Sequence, residues 1–551
     1  MKLRFFERSC RRASGAGPRG DGTLRATAIF SAVILAAVLA SGLETAEGLE
    51  AGAIVRPEEE QALIPVQGFR FAGNSVFPEA TLAEAVAGFT GRVLTFAELE
   101  EAAERIAGFY RARGYFLAQA YIPAQVIEAD GIVTIAVEEG RYGAVVFRNG
   151  ANLREDAARA LLGEVRPGAP IQAGPLERAL LLLEEIPGVR ARGALAAGKE
   201  PGTSDLTVYL EDEARFGGAL RVDSHGHELT GRVRATAHVD VNNPGGYGDR
   251  LLVQATTSGA GLGHGSAGYE MPLWGTAWRL SVGYSASRYE MGGALSELGV
   301  DGKTEAWRVA ARYPVLRALP RAGAAGGRLH RLDVEAAFET RKLEDRVAGL
   351  SGMHEVQAVE VAAQGSGLFG AGALEFRLAV RWGRLHIVDE WERFLDSLTA
   401  RMEGEFVKVQ AEARHERAMG KSMTLEGAMR VQWASKNLHI SEKLALGGAH
   451  AVRAYDPGEA SGDAGVLAQV ELEGRLYRDA WRWAVFADGG AVRVNQSPWE
   501  EGENARALFG GGVGLIYAPS ERFDLRVEYA VPVGAEQPAA GRHWARATYR
   551  W

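Results

Sequence analysis

From Arg215 to the C-terminus the chain alternates apolar and polar residues in segments mostly ten to fourteen residues long. No other feature limits the possible folds as much. Successive side chains of a strand point to opposite faces, so alternation sustained this far asks for long strands with two chemically different faces. In "MTLEGAMRVQW", Met423, Leu425, Gly427, Met429, Val431 and Trp433 share one face, while Glu426, Arg430 and Gln432 share the other. In "LAQVELEGRL", Ala468, Val470, Leu472 and Leu476 oppose Gln469, Glu471, Glu473 and Arg475. In "FDLRVEYAV", Phe523, Leu525, Val527, Tyr529 and Val531 oppose Asp524, Arg526 and Glu528.

Alternation alone also fits a soluble sandwich. Three features favour a membrane barrel. The segments exceed the roughly five to six residues usual for soluble strands. Their polar face is densely charged, as a wet lumen would be. Aromatics (Trp433, Tyr477, Trp481, Trp483, Tyr517, Tyr529, Trp544 and Trp551) stand near segment ends, where interfacial girdles belong. Sixteen segments are expected, near 215–224, 230–241, 249–258, 264–273, 276–290, 303–314, 328–342, 352–364, 371–386, 404–416, 421–434, 465–478, 481–494, 507–518, 521–533 and 540–551. An even count suits a bacterial single-chain barrel. Turns after even-numbered segments are mostly tight ("AMGK", "RDAW", "APSER"), and connections after odd ones are longer, including 387–403, 435–464 and 495–506. That asymmetry predicts short periplasmic turns and long external loops.

The N-terminus reads as an address. Basic residues up to Arg25 precede the apolar run "ATAIFSAVILAAVLA", and small residues offer cleavage after Ala40 or as late as Ala46. The run is short of the ~20 residues needed to span a bilayer as a helix, so residues 1–40 are expected to be a signal peptide. Residues 41–65 are an extension that could serve as plug or linker. Cleavage would remove Cys10, the single cysteine, and shift the formal charge from −8 to −13. So acidic a mature chain is poorly suited to nucleic acid.

Two modules lie between. Residues 66–140 read as strand "VQGFRFAGN", helix "PEATLAEAVAGF", then "TFAELEEAAERIAGFYRARGY", which opens on a capping box of Thr95 and Glu98 and keeps helical spacing. Strands "FLAQAYIP" and "GIVTIAVEEG" complete a β-α-α-β-β order. Residues 141–213 repeat it with "AVVFRNG", "REDAARALLGEV", "PLERALLLLEEI", "ARGALAAG" and "SDLTVYLEDE". Phe71 aligns with Phe147 and Leu99 with Leu176, as internal repeats would.

Catalytic and ligand motifs are weak. "GKS" (420–422) and "GKT" (302–304) have His415 and Glu297 where a phosphate loop needs its first glycine. "GGGVG" (510–514) lies inside a strand pattern and is no dinucleotide fingerprint. His225, His227 and Glu228 cluster in the first external turn without a further ligand. Neither an enzyme site, a cofactor nor a metal is expected.

Several stretches carry a resemblance. "GYFLAQAYIPAQVIEADGIVTIAVEEG" resembles a polypeptide-transport-associated (POTRA) domain, and "RVDSHGHELTGRVRATAHVDVNNPGGYGDRL" resembles the start of a transporter barrel. "LALGGAHAVRAYD" is similar to a signature loop with Val-Arg-Gly-Tyr, and "FADGG" (486–490) to its Phe-x-Asp-x-Gly partner. The ending "ATYRW" resembles the terminal signal read during outer-membrane assembly. Over residues 66–551 the chain resembles the two-partner secretion transporters of the hemolysin secretion/activation family. The fold so implied is two POTRA domains (66–140 and 141–213) and a sixteen-strand outer-membrane barrel (214–551), with loop 435–464 folded into the lumen.

The resemblance implies a contact of Arg453 and Tyr455 with Phe486 and Asp488. It implies client binding at Phe71, Gly73, Tyr115, Pro123 and Gln125, and an assembly signal at Tyr549 and Trp551. Ala454 replaces the motif glycine, so the loop must avoid positive φ there or bear strain. The implied partners are a large hemolysin- or adhesin-like exoprotein of β-helical form, outer-membrane lipid and the barrel assembly machinery. An assembly factor of the same superfamily is the alternative function. A passive porin would leave residues 66–213 unexplained.

Overall fold

The computed structural model describes residues 63–551 except 274, 321–326, 477–479 and 535–539. The expected signal peptide, Cys10, most of the 41–65 extension and Tyr477 lie outside the described residues.

The first module contains strands β1 (Ile64–Val66) and β2 (Gly68–Ala72), helix α1 (Glu79–Ala85), β3 (Arg92–Leu94), helix α2 (Phe96–Ala112), β4 (Gln119–Tyr121) and β5 (Ile132–Glu138). Its main sheet runs β2-β5-β4, with β2 parallel and β4 antiparallel to β5. One face of α2 buries Leu99, Ala102, Ala103, Ile106 and Tyr110, residues three and four apart that share a stripe. The second module has β6 (Arg141–Asn149), helices α3 (Glu155–Ala160) and α4 (Ala173–Glu184), β7 (Val189–Ala197) and β8 (Thr203–Asp212). Its sheet order, β6-β8-β7, again sets the first strand parallel and the middle one antiparallel to the last. Leu99 and Leu176 are both buried on their helices.

Local readings within the modules differ from the sequence in several places. The expected strand "FLAQAYIP" pairs only over Gln119–Tyr121. Helix α3 stops at Ala160, well short of Val165. A two-stranded ribbon of β1 and β3 is added, which no alternation signalled.

Sixteen strands then close into an antiparallel barrel. The first eight are β9 (Phe216–Asp223), β10 (Arg234–Asn242), β11 (Arg250–Thr257), β12 (Leu262–Pro272), β13 (Arg279–Glu290), β14 (Asp301–Arg317), β15 (Arg328–Val347) and β16 (Leu350–Phe369). Next come β17 (Gly372–Ile387), β18 (Gly404–Met419) and β19 (Met423–Ala434), and a loop bearing the small pair β20 (Leu444–Ala445) and β21 (Ser461–Gly462). The last five are β22 (Ala464–Arg475), β23 (Trp481–Arg493), β24 (Ala505–Ser520), β25 (Phe523–Pro532) and β26 (Arg542–Arg550). Each of the sixteen expected segments overlaps one of these strands, and β14, β15 and β16 run past the expected ends. Closure is made by β26 on β9, from Arg546 opposite Asp223 to Arg550 opposite Ala219. No helix among the described residues is long and apolar enough to cross a membrane; the crossing is made by strands.

Outward positions are apolar, among them Trp307, Phe338, Leu378, Trp433, Val485, Val513 and Tyr549. Trp544 is an exception to the expected girdle. It shares the inward parity of Arg546 and Arg550, and its side chain is buried. The connection 387–403 carries helix α5 (Glu390–Leu398), whose N-cap Asp389 accepts from the Glu392 N–H at 2.8 Å. Trp391, Phe394, Leu395 and Leu398 recur at helical spacing there, a short helical signal inside a region of strands.

The second module rests against the tight-turn end of the barrel. Arg178 donates to the carbonyls of Pro314 (2.6 Å) and Val315 (3.0 Å). Glu185 accepts from Arg317 at 2.7 Å, and Asn243 donates to the Asn152 carbonyl at 2.5 Å.

At the junction of the modules, the buried Glu139 carboxylate accepts from the N–H groups of Ser75 (2.6 Å) and Val76 (2.7 Å), from Tyr110 (3.0 Å) and from Arg141 (3.0 Å). Burial pushes its pKa up, but the hydrogen bonds from Ser75, Val76 and Tyr110 outweigh that and hold it below the usual carboxylate value. A lowered folded-state pKa contributes stability that is complete above the unfolded value, roughly 4.3, and is lost as pH falls through the folded one. Amide exchange protection of α2 in the full-length protein should therefore be flat from about pH 7 to 5 and fall below about pH 4. Glu139→Gln should lose about 1–3 kcal/mol of that protection at neutral pH, because it turns an amide donor towards donors. Unchanged protection in the variant would remove Glu139 from this role.

Candidate functional site

Alternation turns the odd residues of β22 and the even residues of β23 and β25 towards the lumen. Glu471, Asp488 and Glu528 thereby form a patch of carboxylates on the wall, and Phe486 lies beside them. Loop 435–463 folds inward against it, and Arg453 is its contact. The Asp488 carboxylate accepts from Arg453 Nε at 2.7 Å, from Nη2 at 2.8 Å and from the Arg453 backbone N–H at 3.1 Å. Arg453 Nη1 donates to Glu471 at 2.6 Å and to Glu528 at 2.9 Å. The guanidinium carbon stands 3.4 Å from the centre of the Phe486 ring, a cation–π contact. The Trp544 indole N–H donates to the Arg453 carbonyl at 2.7 Å.

Only a planar fork with five donors can serve three carboxylates and a ring at once. Arg453, Asp488 and Phe486 are each about 95% buried, so their pairing is little screened by solvent. Arg526 donates to Glu471 (2.7 Å), Glu473 (2.9 Å) and Glu528 (2.9 Å) from the next positions of the wall.

Tyr455 makes no ionic contact among the described residues. It packs beside Ala454, Phe486 and Ala530 and against a cluster of Leu444, Leu446 and Val452 from the loop with Leu467 of β22. Ala454 does not have positive φ, so the missing glycine costs no backbone strain. The room is made on the wall: a Cβ at Gly510 would lie 2.5 Å from that of Ala454, and one at Gly512 would lie 2.5 Å from the Phe486 ring. The glycine run in β24 is thus the bed on which the loop tip lies.

A second anchor of opposite sign holds the start of the loop. Glu442 is buried and pairs with Lys408, with Arg381 at 3.2 Å and with Arg341 at 3.3 Å. Sequence reasoning missed Glu442 as an anchor within the loop, Glu471, Glu528 and Trp544 as its partners on the wall, and Arg526 beside them. Inward parity flags all but Glu442, yet only closure of the barrel brings them to one point. His225 packs edge-on to His450 (5.0 Å between centroids) and Trp544 (5.8 Å), so it contributes to packing around the loop.

The residues expected to bind client are placed mostly inward. Phe71 is buried in the first module. Gly73 has φ +87°, and a Cβ there would meet the Val137 carbonyl oxygen at 2.4 Å. Tyr115 sits edge-on to Phe77 and Tyr110. Pro123 is half-buried, and the Gln125 amide exchanges hydrogen bonds with the Thr134 backbone at 2.7 and 2.8 Å. The exposed apolar residues nearby are Tyr121 and Val126. At the terminus, Tyr549 and Trp551 face outward. "GKT" lies in β14, and "GKS" is the turn before β19.

A closed sixteen-strand barrel with a loop clamped in its lumen, joined at its tight-turn end to two β-α-α-β-β modules, is the architecture of an outer-membrane polypeptide transporter. The chain belongs to the haemolysin secretion/activation protein family ShlB/FhaC/HecB, which matches residues 202–517; residues 64–140 match the ShlB-type POTRA domain. It is 27% identical over 473 residues to the heme/hemopexin transporter protein HuxB of Haemophilus influenzae strain 86-028NP, covering 84% of this chain and 82% of that protein. The solved structure of CdiB from Escherichia coli is similar with a TM-score of 0.75 at 18% identity, covering 93% of both chains. CdiB from Acinetobacter baumannii is similar with a TM-score of 0.67 at 16% identity, covering 96% of this chain and 98% of that one. The protein is therefore an outer-membrane transporter of two-partner secretion. It acts on a large secreted exoprotein, and its POTRA domains are periplasmic.

The charge count around Arg453 predicts an asymmetry. Arg453→Ala takes the guanidinium from Asp488 and leaves Glu471 and Glu528 with Arg526, whereas Asp488→Ala leaves Arg453 two carboxylates. Removing one partner of a buried pair costs about 3–5 kcal/mol locally. Client secretion should fall further in Arg453→Ala than in Asp488→Ala, and the double variant should be no worse than Arg453→Ala. Levels of heat-modifiable barrel should change much less. Additive defects, or full secretion by Arg453→Ala, would contradict the clamp.

Proposed function

We propose that loop 435–463 is the gate of the secretion pore, and that passage of the client requires both of its ionic anchors to release. The observation that carries this reading is the chemistry of the hold: Arg453 on three carboxylates and Glu442 on three cations. Ion pairs are strong when dry and are exchanged readily once water or a charged chain enters. A sixteen-strand barrel is wide enough for an aqueous channel once the loop moves.

Upstream, the periplasmic modules capture the unfolded client by adding it as a strand to an open sheet edge. In the first module the sheet order leaves β4 at an edge, and Tyr121 and Val126 offer apolar contacts beside it. The client is a hemolysin- or adhesin-like exoprotein of β-helical form, and its folding outside the cell supplies the drive. The transporter works without catalysis, cofactor or nucleotide. Residues 1–40 direct export and are removed, at the latest after Ala46, and residues 41–65 act as plug or linker ahead of the POTRA domains at 66–140 and 141–213. The outward apolar face contacts outer-membrane lipid, and the barrel assembly machinery reads Tyr549 and Trp551.

Two experiments test this reading. Deleting residues 66–140 should abolish client secretion while the barrel still reaches the outer membrane; normal secretion by the deletion would end the capture role. Removing Trp551 should lower the amount of heat-modifiable barrel, and unchanged amounts would argue that β26 needs no terminal aromatic.

A further inference from the structure

At the external end of the barrel, away from the Arg453 clamp, three separate segments bring two imidazoles and a carboxylate together. Asp345 lies near the end of β15 and His354 near the start of β16, across the hairpin turn at 348–349. His439 belongs to the lumen loop, three residues before the anchor Glu442. One possible ligand atom from each of Asp345, His354 and His439 lies within 4.8 Å of the others. The two imidazole rings are 4.8 Å apart between centroids. Both histidines are buried, and Asp345 is half-buried.

The surroundings are those of ligands already oriented. His354 Nε2 lies 3.0 Å from Glu392 Oε1, on α5 of the neighbouring external loop. The other ring nitrogen, Nδ1, is buried with no hydrogen-bond partner among the described residues. Imidazoles that bind metals commonly donate their second N–H to a carboxylate, which sets the tautomer and leaves the first nitrogen's lone pair for the ion. Gly352 makes room for that carboxylate, since a Cβ there would lie 2.9 Å from Glu392 Oε2. Asp345 Oδ1 accepts from the Tyr289 hydroxyl at 2.6 Å, which orients the second ligand. His439 Nδ1 accepts from the Ser441 N–H at 3.3 Å and faces Ser441 Oγ at 3.0 Å; binding through Nε2 moves the ring proton to Nδ1, where Oγ is the acceptor.

We propose that Asp345, His354 and His439 bind one borderline divalent metal ion of the zinc type, and that the ion ties the lumen loop to the outer rim of the barrel wall. Two imidazoles and one carboxylate suit such an ion, whereas calcium and magnesium take oxygen ligands. Ligand bonds of about 2.0–2.1 Å place tetrahedral ligand atoms roughly 3.3 Å apart, so side-chain rotations of about 1–2 Å complete the site from the separations seen. A water fills the fourth position, as in other three-ligand zinc sites. Asp345 and His354 share one hairpin, but His439 comes from a loop far along the chain, with no metal-binding spacing between them. That is why the sequence reading expected no metal.

The test uses the full-length protein in detergent, purified through a tag free of histidine and stripped with a chelator, with Zn2+ alone as the probe. Equilibrium dialysis should show one zinc per chain, and Co2+ substituted for it should give the intense visible absorption of a tetrahedral site. His439→Ala and His354→Ala should each weaken binding at least about tenfold, and Glu392→Gln by about 10–100-fold as an outer-shell change. His386→Ala, an exposed histidine on the same rim, should leave binding unchanged, and heat-modifiable migration confirms that each variant is folded. Zinc should also slow amide exchange over residues 437–446. Absence of binding by the folded wild type, or undiminished binding by folded His439→Ala, would overturn the site. Stoichiometric binding without slower exchange at 437–446 would overturn the tie to the loop.

Discussion

In the hydrocarbon layer every backbone N–H and C=O must find a partner within the protein. A sheet can meet that demand only by closing on itself, which here means pairing β26 with β9. Everything else in the barrel follows from that closure. Alternation sends apolar side chains to the lipid and charged ones to the lumen. A lumen crowded with Arg, Glu and Asp is stable only if those charges meet one another, and ion pairs run around the wall from Arg308 to Arg550. The loop in the lumen is held by the same means, because that is the chemistry the inner surface presents.

The loop illustrates how opposite signs divide the work. Arg453 neutralises a carboxylate patch on β22, β23 and β25, and Glu442 neutralises a cationic one on β15, β17 and β18. Neither charge could be left in the lumen alone without a desolvation cost of several kcal/mol. The two anchors therefore set the loop's register as well as its strength. Shape completes the fit, since Gly510 and Gly512 leave a smooth floor where any side chain would strike Ala454 or Phe486.

How much was legible depended on the range of the signal. The sixteen strands follow from period-two alternation, and α2 and α4 from spacing of three and four, because both are local. Trp544 was misassigned although its parity with Arg546 points inward, because its position near a segment end suggested a girdle. Helix α5 was missed although Trp391, Phe394, Leu395 and Leu398 mark it, because nine residues are a weak helical signal inside a strand-rich region. Strand β4 was overextended because apolar residues such as Phe116 and Leu117 pack on the core of the second module rather than into a ladder.

The sequence by itself determined the class of fold, the strand count and the inward facing of Asp488, because each depends on periodicity over a few residues. The resemblance of "AVRAYD" and "FADGG" to a known loop and its partner joined Arg453 to that carboxylate. Only the tertiary structure decided that Arg453 also meets Glu471 and Glu528, that Glu442 has its own cationic cradle, and that Asp345, His354 and His439 converge. Each of those sets draws on strands or loops that are distant in the chain. Their approach is set by the curvature of a closed sheet, a property no single stretch of sequence contains.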